Sequence, residues 1–211
     1  MYKFAICGKA NSGKNTVGKL LYKKLSETVF ASKVDPVTGL HLGGAGFHGM
    51  QYMAFADPIK EMIRIAYPEL PKKYLYGSSK LRAEPIPGAF KNGIPLTVRQ
   101  CLIDIGNDFG RANKNDIWLR NFDNRFNKLI KKNLSLIVVT DVRFRNEFDH
   151  LKTLGFYQIR LLRDSYLKID DVSETNQDGI DDDEFDHVLC NNSTIQNLEA
   201  EVLKIVSQLM F

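Results

Sequence analysis

The chain has 211 residues, 44% hydrophobic, 26% charged and 10% aromatic, with a formal net charge of +4. This is the profile of a soluble globular protein, and it excludes collagen-like, low-complexity and disulfide-scaffold classes. Cys7, Cys101 and Cys190 lie far apart without a CxxC pair, which predicts reduced thiols in a cytoplasmic setting.

The modest basic excess does not suit a nucleic-acid coat. No apolar run approaches the roughly 18 residues of a membrane helix, and the opening MYKFAICGKANSGK is too polar for a secretory signal. The expected partners are therefore small phosphorylated molecules, not nucleic acid or membrane.

Lys3–Cys7 reads as a short first strand running into a glycine loop, followed by a helix from Lys14 to about Thr28. Residues 33–50 are glycine-rich, with His41 and His48, and show no periodicity; a metal site there lacks acidic or cysteine partners. Gln51–Ala56 is a second strand. Asp57 and Pro58 mark the start of a helix to about Ala66, with Asp57 as N-cap. The proline-rich stretch 68–95 reads as an irregular excursion.

Thr97-Val98-Arg99-Gln100 has a capping-box pattern, with Thr97 as cap and Gln100 reaching back. A helix from Trp118 to Ile130 follows. Leu134–Thr140 is the continuous apolar strand expected when both faces of a parallel sheet are buried. A helix over Arg145–Leu154 precedes a strand over Phe156–Leu162. Residues 163–185 read as a polar loop, and the acidic run Asp178–Asp186 as a solvated one. His187–Cys190 is a last strand. Ser193 caps a final helix with Ile195, Leu198, Val202, Leu203, Val206 and Leu209 on one face.

Strands alternating with helices predict an α/β fold with a mostly parallel central sheet, helices on both faces, and an irregular cap or lid. The whole chain is expected to form one domain, with 68–95 and 163–185 as candidate lid segments. Ligands of such sheets bind at the carboxyl ends of strands.

Two chemical signals fall at strand ends. Gly8-Lys9-Ala10-Asn11-Ser12-Gly13-Lys14 is G-x-x-x-x-G-K between a strand and a helix, the phosphate-cradling P-loop pattern. Its glycines let the backbone wrap an anion, and the helix N-terminus favours negative charge. Asn15 replaces the usual Ser or Thr that ligates magnesium. Thr16 then reads as an α-phosphate hydrogen-bonding group. The second signal is Asp141 at the end of IVVTD, a position that faces Mg²⁺ and its waters in P-loop proteins. Arg143 beside it suits a transferring phosphate, and Glu147 lies one helical turn further, able to orient Arg143 or accept from a sugar hydroxyl.

GKANSGKNT, FADPIK, VRQCLIDIGNDFGR with a following DIW, and VVTDVRFRNE together resemble the bacteriophage deoxynucleoside monophosphate kinases. The resemblance runs from about Lys3 to Glu147. It implies a P-loop kinase transferring phosphate from ATP, with Mg²⁺, to a dNMP, in the cytoplasm of the host cell and as a homodimer. By that resemblance Gly8, Asn11, Ser12, Gly13, Lys14, Asn15 and Thr16 hold ATP phosphates. Phe55, Ala56 and Lys60 line the monophosphate site, and Arg99 binds the acceptor phosphate. Gly106, Asn107 and Asp108 match a Gly-Thr-Asp element. Trp118 packs on the base or sugar. Asp141, Arg143 and Glu147 match D-x-R-x-x-x-E. Ser173-Glu174 matches a late-loop element, although Asp171 stands where the family often has histidine. Arg82, Arg111 and Arg163 are lid or ATP-side candidates.

Residue by residue, plainer readings stand beside these. Arg99 suits a solvated helix face, Trp118 suits core, and His150 and His187 suit structural positions. Asp108-Phe109-Gly110 spells a protein-kinase motif without its companions. Another small-molecule P-loop kinase, of dephospho-coenzyme A or adenylate type, fits the same signals, as does a P-loop ATPase without an acceptor.

Overall fold

The structure is a computed structural model describing residues 1–31, 49–164 and 176–210. His41, His48, Asp171, Ser173 and Glu174 fall outside the described residues. The chain divides into two compact units: residues 1–53 with 128–211, and residues 54–127.

The first unit holds β1 (Tyr2–Cys7), α1 (Lys14–Ala31) and β2 (Met50–Met53) from the first stretch of chain. The second unit follows in sequence, with α2 (Asp57–Ala66), α3 (Lys73–Tyr76), β3 (Pro85–Lys91), β4 (Ile94–Thr97), α4 (Val98–Ile103) and α5 (Ile117–Leu129). The chain then returns to the first unit through β5 (Leu136–Val142), α6 (Arg145–Thr153), β6 (Tyr157–Leu162), β7 (His187–Cys190) and α7 (Ile195–Met210).

The first unit is built on a five-stranded sheet in the order β2-β5-β1-β6-β7. Every pairing in it is parallel. Parallel pairing explains the near-continuous apolar run of β5, because both faces must be covered. On one face Phe4, Ile6, Val138 and Leu161 join Leu21 of α1 and Val202 of α7 in a single core. Residues of opposite parity point to the other face. There the Arg160 guanidinium lies 5.2 Å from the centroid of the Phe185 ring. Phe185 in turn meets Phe148 of α6 at 4.9 Å. The fold is α/β, with a parallel sheet flanked by helices on both faces.

Elements differ from expectation where tertiary partners decide. The helix after Ala54 has no side-chain cap: Asp57 is already helical, and its carboxylate accepts from the Ala54 N–H at 2.9 Å. Thr97 does cap α4, accepting from the Gln100 N–H at 3.1 Å. Gln100 does not reach back; its amide donates forward to Asp104 at 2.7 Å. The final helix begins after Thr194, not Ser193: Thr194 Oγ1 accepts from the Asn197 N–H at 3.3 Å. Ile195 and Leu203 of its expected apolar face are exposed, while Ile205 is buried in the stripe with Leu198 and Val202.

The proline-rich excursion is ordered, carrying α3, a 3-10 turn over Ser79–Ala83 and the antiparallel β3–β4 hairpin. Segment 163–185, where described, carries 3-10 turns over Asn176–Gly179 and Asp182–Glu184.

Phe122 of α5 anchors the second unit. It is fully buried, stacks on Phe55 at 4.7 Å and lies 6.0 Å from Phe126. Large-to-small changes at such sites typically cost about 3–5 kcal/mol. Phe122→Ala should lower the unfolding free energy by that amount in a urea titration; a change below about 1 kcal/mol would mean the ring is not a core element.

Candidate functional site

The phosphate loop leaves the central strand β1. Gly8 is required by close approach: a Cβ there would lie 2.5 Å from the Leu161 carbonyl oxygen of β6. Gly13 has φ of +104°, and a Cβ on it would come within 2.5 Å of the Asn191 Nδ2. Asn11 takes the left-handed conformation at φ +66°, which asparagine tolerates better than most residues. The loop closes with the Ser12 N–H donating to the Lys9 carbonyl at 3.2 Å. Ser12 itself is buried, and its hydroxyl meets no hydrogen-bond partner among the described residues.

Lys14 opens α1 and folds back over the loop. Its ammonium donates to the Gly8 carbonyl at 2.6 Å and to the Lys9 carbonyl at 2.7 Å. Lys9 pairs with Asp178 at 2.6 Å. Asn15 and Thr16 are exposed at the start of the helix. The Asn15 carbonyl accepts from the Tyr52 hydroxyl at 3.3 Å.

Asp141 lies beside this loop by strand pairing. Ala5 of β1 pairs with Val139 of β5, but Cys7 pairs with Val142. Two steps along β1 therefore match three along β5, so β5 carries one extra residue at Thr140–Asp141. Such bulges re-aim a side chain and recur next to active sites. The expected strand end at Thr140 is thus extended, with Asp141 half-buried inside β5.

Glu147 is buried, and its Oε2 accepts from the Arg143 N–H at 2.8 Å and the Phe144 N–H at 3.2 Å. This carboxylate therefore fixes the backbone that carries Arg143 and starts α6, where an anion is favoured. Burial pushes the Cys7 thiol up to about 11. The positive charges of Arg160, Lys14 and Arg143 pull it down in that order, and Glu147 adds to the rise. Lys14, Arg143 and Glu147 thus all act electrostatically on the carboxyl end of β1.

The second unit holds the residues assigned to the acceptor. Arg99 of α4 is half-buried and donates to the Ser79 carbonyl at 2.8 Å. Lys60 lies 3.4 Å from Asp57, and its ammonium stands 5.2 Å from the centroid of the Tyr76 ring. Arg125 donates to Asp57 at 2.8 Å and also to the Ala54 carbonyl. Residues Asp104–Arg111 form a π-helical segment, a form frequent at functional sites. Within it Asn107 is half-buried and Asp108 exposed.

Three residues assigned to the substrate by resemblance are held by packing within the second unit. Trp118 is only 5% exposed, and its indole N–H donates to the Gly106 carbonyl at 2.9 Å. A Cβ on Gly110 would meet the same ring at 2.3 Å. Trp118 therefore clamps the π segment from within the second unit. Gly106 is its buried partner, approached by Ile59 from α2. Phe55 is buried and stacked on Phe122; Ala56 beside it is half-buried.

A family model described as deoxynucleotide monophosphate kinase matches residues 85–202, more than half of the chain. The chain belongs to this kinase family. A protein of Acanthamoeba polyphaga mimivirus, named "Putative deoxynucleotide monophosphate kinase", is 29% identical over 163 residues. That match covers 72% of this chain and 81% of the relative. The crystal structure of TT1252 from Thermus thermophilus aligns over 99% of both chains at 15% identity, with a TM-score of 0.46. The matched span takes in Arg99, the π segment, Asp141, Arg143 and Glu147, and begins after the phosphate loop.

Several contacts of the kinase were not anticipated from sequence. Asn191, just past β7, bonds the phosphate loop directly, its Nδ2 donating to the Ser12 carbonyl at 2.7 Å. Its position at the carboxyl end of a sheet strand was the available signal. The acidic run is solvent-exposed for most of its length, as expected, but it also forms ion pairs: besides Asp178, Asp182 lies 3.2 Å from Arg160 and Glu184 lies 2.7 Å from Arg145. Of the other arginines, Arg82 donates to the Leu75 carbonyl at 3.2 Å and Arg163 to the Asn11 carbonyl at 3.4 Å. Arg111 closes the π segment. Among the described residues no group of three or more His, Cys, Asp or Glu gathers as a metal cage, and no helix is long and apolar enough to cross a membrane.

The Cys7 shift has a consequence for stability. Below the ordinary thiol value of 9.0 both folded and unfolded chains carry the proton, so its contribution is complete there. Above it the unfolded chain ionises first, and stability is lost as pH climbs towards about 11. The advantage of wild type over Cys7→Ala in unfolding free energy should shrink across that window. A constant difference would contradict the buried, protonated thiol.

Proposed function

We propose that this kinase transfers the γ-phosphoryl group of ATP to a deoxynucleoside monophosphate, yielding ADP and a dNDP. The observation that supports the reading best is the strand pairing in the first unit. The G-x-x-x-x-G-K loop on β1 and the bulged Asp141 on β5 leave neighbouring strands at the same sheet edge.

The proposed reaction is in-line transfer without a covalent enzyme intermediate. The acceptor phosphate is already anionic near neutral pH, so no strong base is needed. Catalysis is positioning and charge neutralisation. Lys14 exchanges its two loop carbonyls for phosphate oxygens of ATP. Arg143, held through its backbone by Glu147, neutralises charge that develops on the transferring group. Arg99 takes the acceptor phosphate by family resemblance. A magnesium ion carried mainly by phosphates and water needs only one or two carboxylates. Asp141 fits that part through water, and Asn15 stands where the common loop has the Ser or Thr that ligates magnesium. When bound, such an ion neutralises phosphate charge.

Removal of one well-placed cationic donor commonly costs about 10²–10³ in rate. Lys14→Ala and Arg143→Ala should each lose at least that factor in kcat/KM while keeping the wild-type circular dichroism. The assay couples ADP release to a panel of dNMP and NMP acceptors. ADP release without any acceptor would instead favour an ATPase. A preference for another phosphorylated or hydroxylated acceptor would favour a different P-loop kinase.

A further inference from the structure

We infer that Asn191 is a positioning residue for ATP, which sets the direction of a phosphate-binding amide in the loop. The inference rests on the reading of Gly8–Thr16 as the ATP phosphate site.

Asn191 is held from both sides. Its backbone N–H donates to the Leu162 carbonyl at 2.8 Å, continuing the β6–β7 ladder one residue past β7. Its side-chain Nδ2 donates to the Ser12 carbonyl at 2.7 Å. The amide group also lies over Gly13, where a Cβ would stand 2.5 Å from Nδ2. The side chain therefore covers the Ser12–Gly13 peptide and is anchored to the rigid sheet.

A trans peptide is planar, so its C=O and N–H point in opposite directions. Drawing the Ser12 carbonyl towards Asn191 turns the Gly13 N–H away from it. Gly13 immediately precedes α1, where backbone N–H groups collect anions. Gly13 at φ +104° has no Cβ to hold the peptide in one orientation. Without Asn191, this peptide can rotate and present a carbonyl where a donor is needed. The loop thus gains its preorganisation from outside its own motif.

The test compares Asn191→Ala with Asn191→Leu, the second keeping the volume without the donor. Binding of ATP and of a dNMP is measured separately by calorimetry, with melting temperature as the fold control. Both variants should bind ATP about tenfold more weakly, as expected for one lost hydrogen bond plus a freed peptide. Affinity for the dNMP should be unchanged, and Asn191→Leu should melt near wild type. In steady state the KM for ATP should rise in both. Wild-type ATP affinity in a folded Asn191→Leu overturns the inference. So does equal loss of ATP and dNMP binding in both variants, which would mark Asn191 as structural packing. If wild type binds no ATP, the underlying functional reading falls and this inference with it; an ATP-binding wild type beside an unaffected variant removes the inference alone.

Discussion

The crowded exit of β1 governs the chemistry of this chain. β1 is the middle strand, bonded to β5 on one side and β6 on the other. Where it ends, the Leu161 carbonyl of β6 stands so close that only glycine fits at position 8. The backbone must therefore turn at once, and it turns into the loop that ends at Lys14. Parallel pairing then brings Asp141 to the same edge, and Glu147 fixes the arginine just beyond it. The sheet thus delivers residues far apart in sequence to one line of strand ends.

Charge around that edge is arranged more than it is accumulated. Asp178, Asp182 and Glu184 face Lys9, Arg160 and Arg145 respectively. Exposed pairs of this kind contribute little stability, about 0–1 kcal/mol each. Their effect is spatial: they draw the late acidic segment against the sheet and loop of the same unit. Gln177, immediately before that segment, is buried and accepts from the Cys7 thiol at 3.5 Å. The acidic run thus stays solvated while the residue before it packs against the end of β1.

What the sequence made legible was local chemistry with a fixed spacing. The glycine loop, the apolar β5 and the Thr97 cap each depend on a few neighbouring residues, and all three stand in the structure. What it hid depends on distant partners. Trp118 and Phe55 carry family motifs, yet their rings are occupied by Gly106, Gly110 and Phe122 from elsewhere in the second unit. Gln100 has the right spacing for a capping box, but Asp104 offers its amide a better acceptor. Asn191 carries no motif; only the fold brings it to residue 12, 179 positions away. The bulge in β5 was equally invisible, because a mismatch of register exists only relative to a neighbouring strand.

That single additional residue in β5 decides which side chain enters the hydrophobic interior. With uninterrupted pairing after Ala5–Val139, the slot opposite Cys7 would fall to position 141. The inserted step hands it to Val142, which is 1% exposed, against a cysteine that is fully enclosed. Pairing without that step would bring the Asp141 side chain into the buried slot that Val142 fills opposite Cys7. The irregularity thus lets one strand serve both as a wall of oil and as the bearer of an acid.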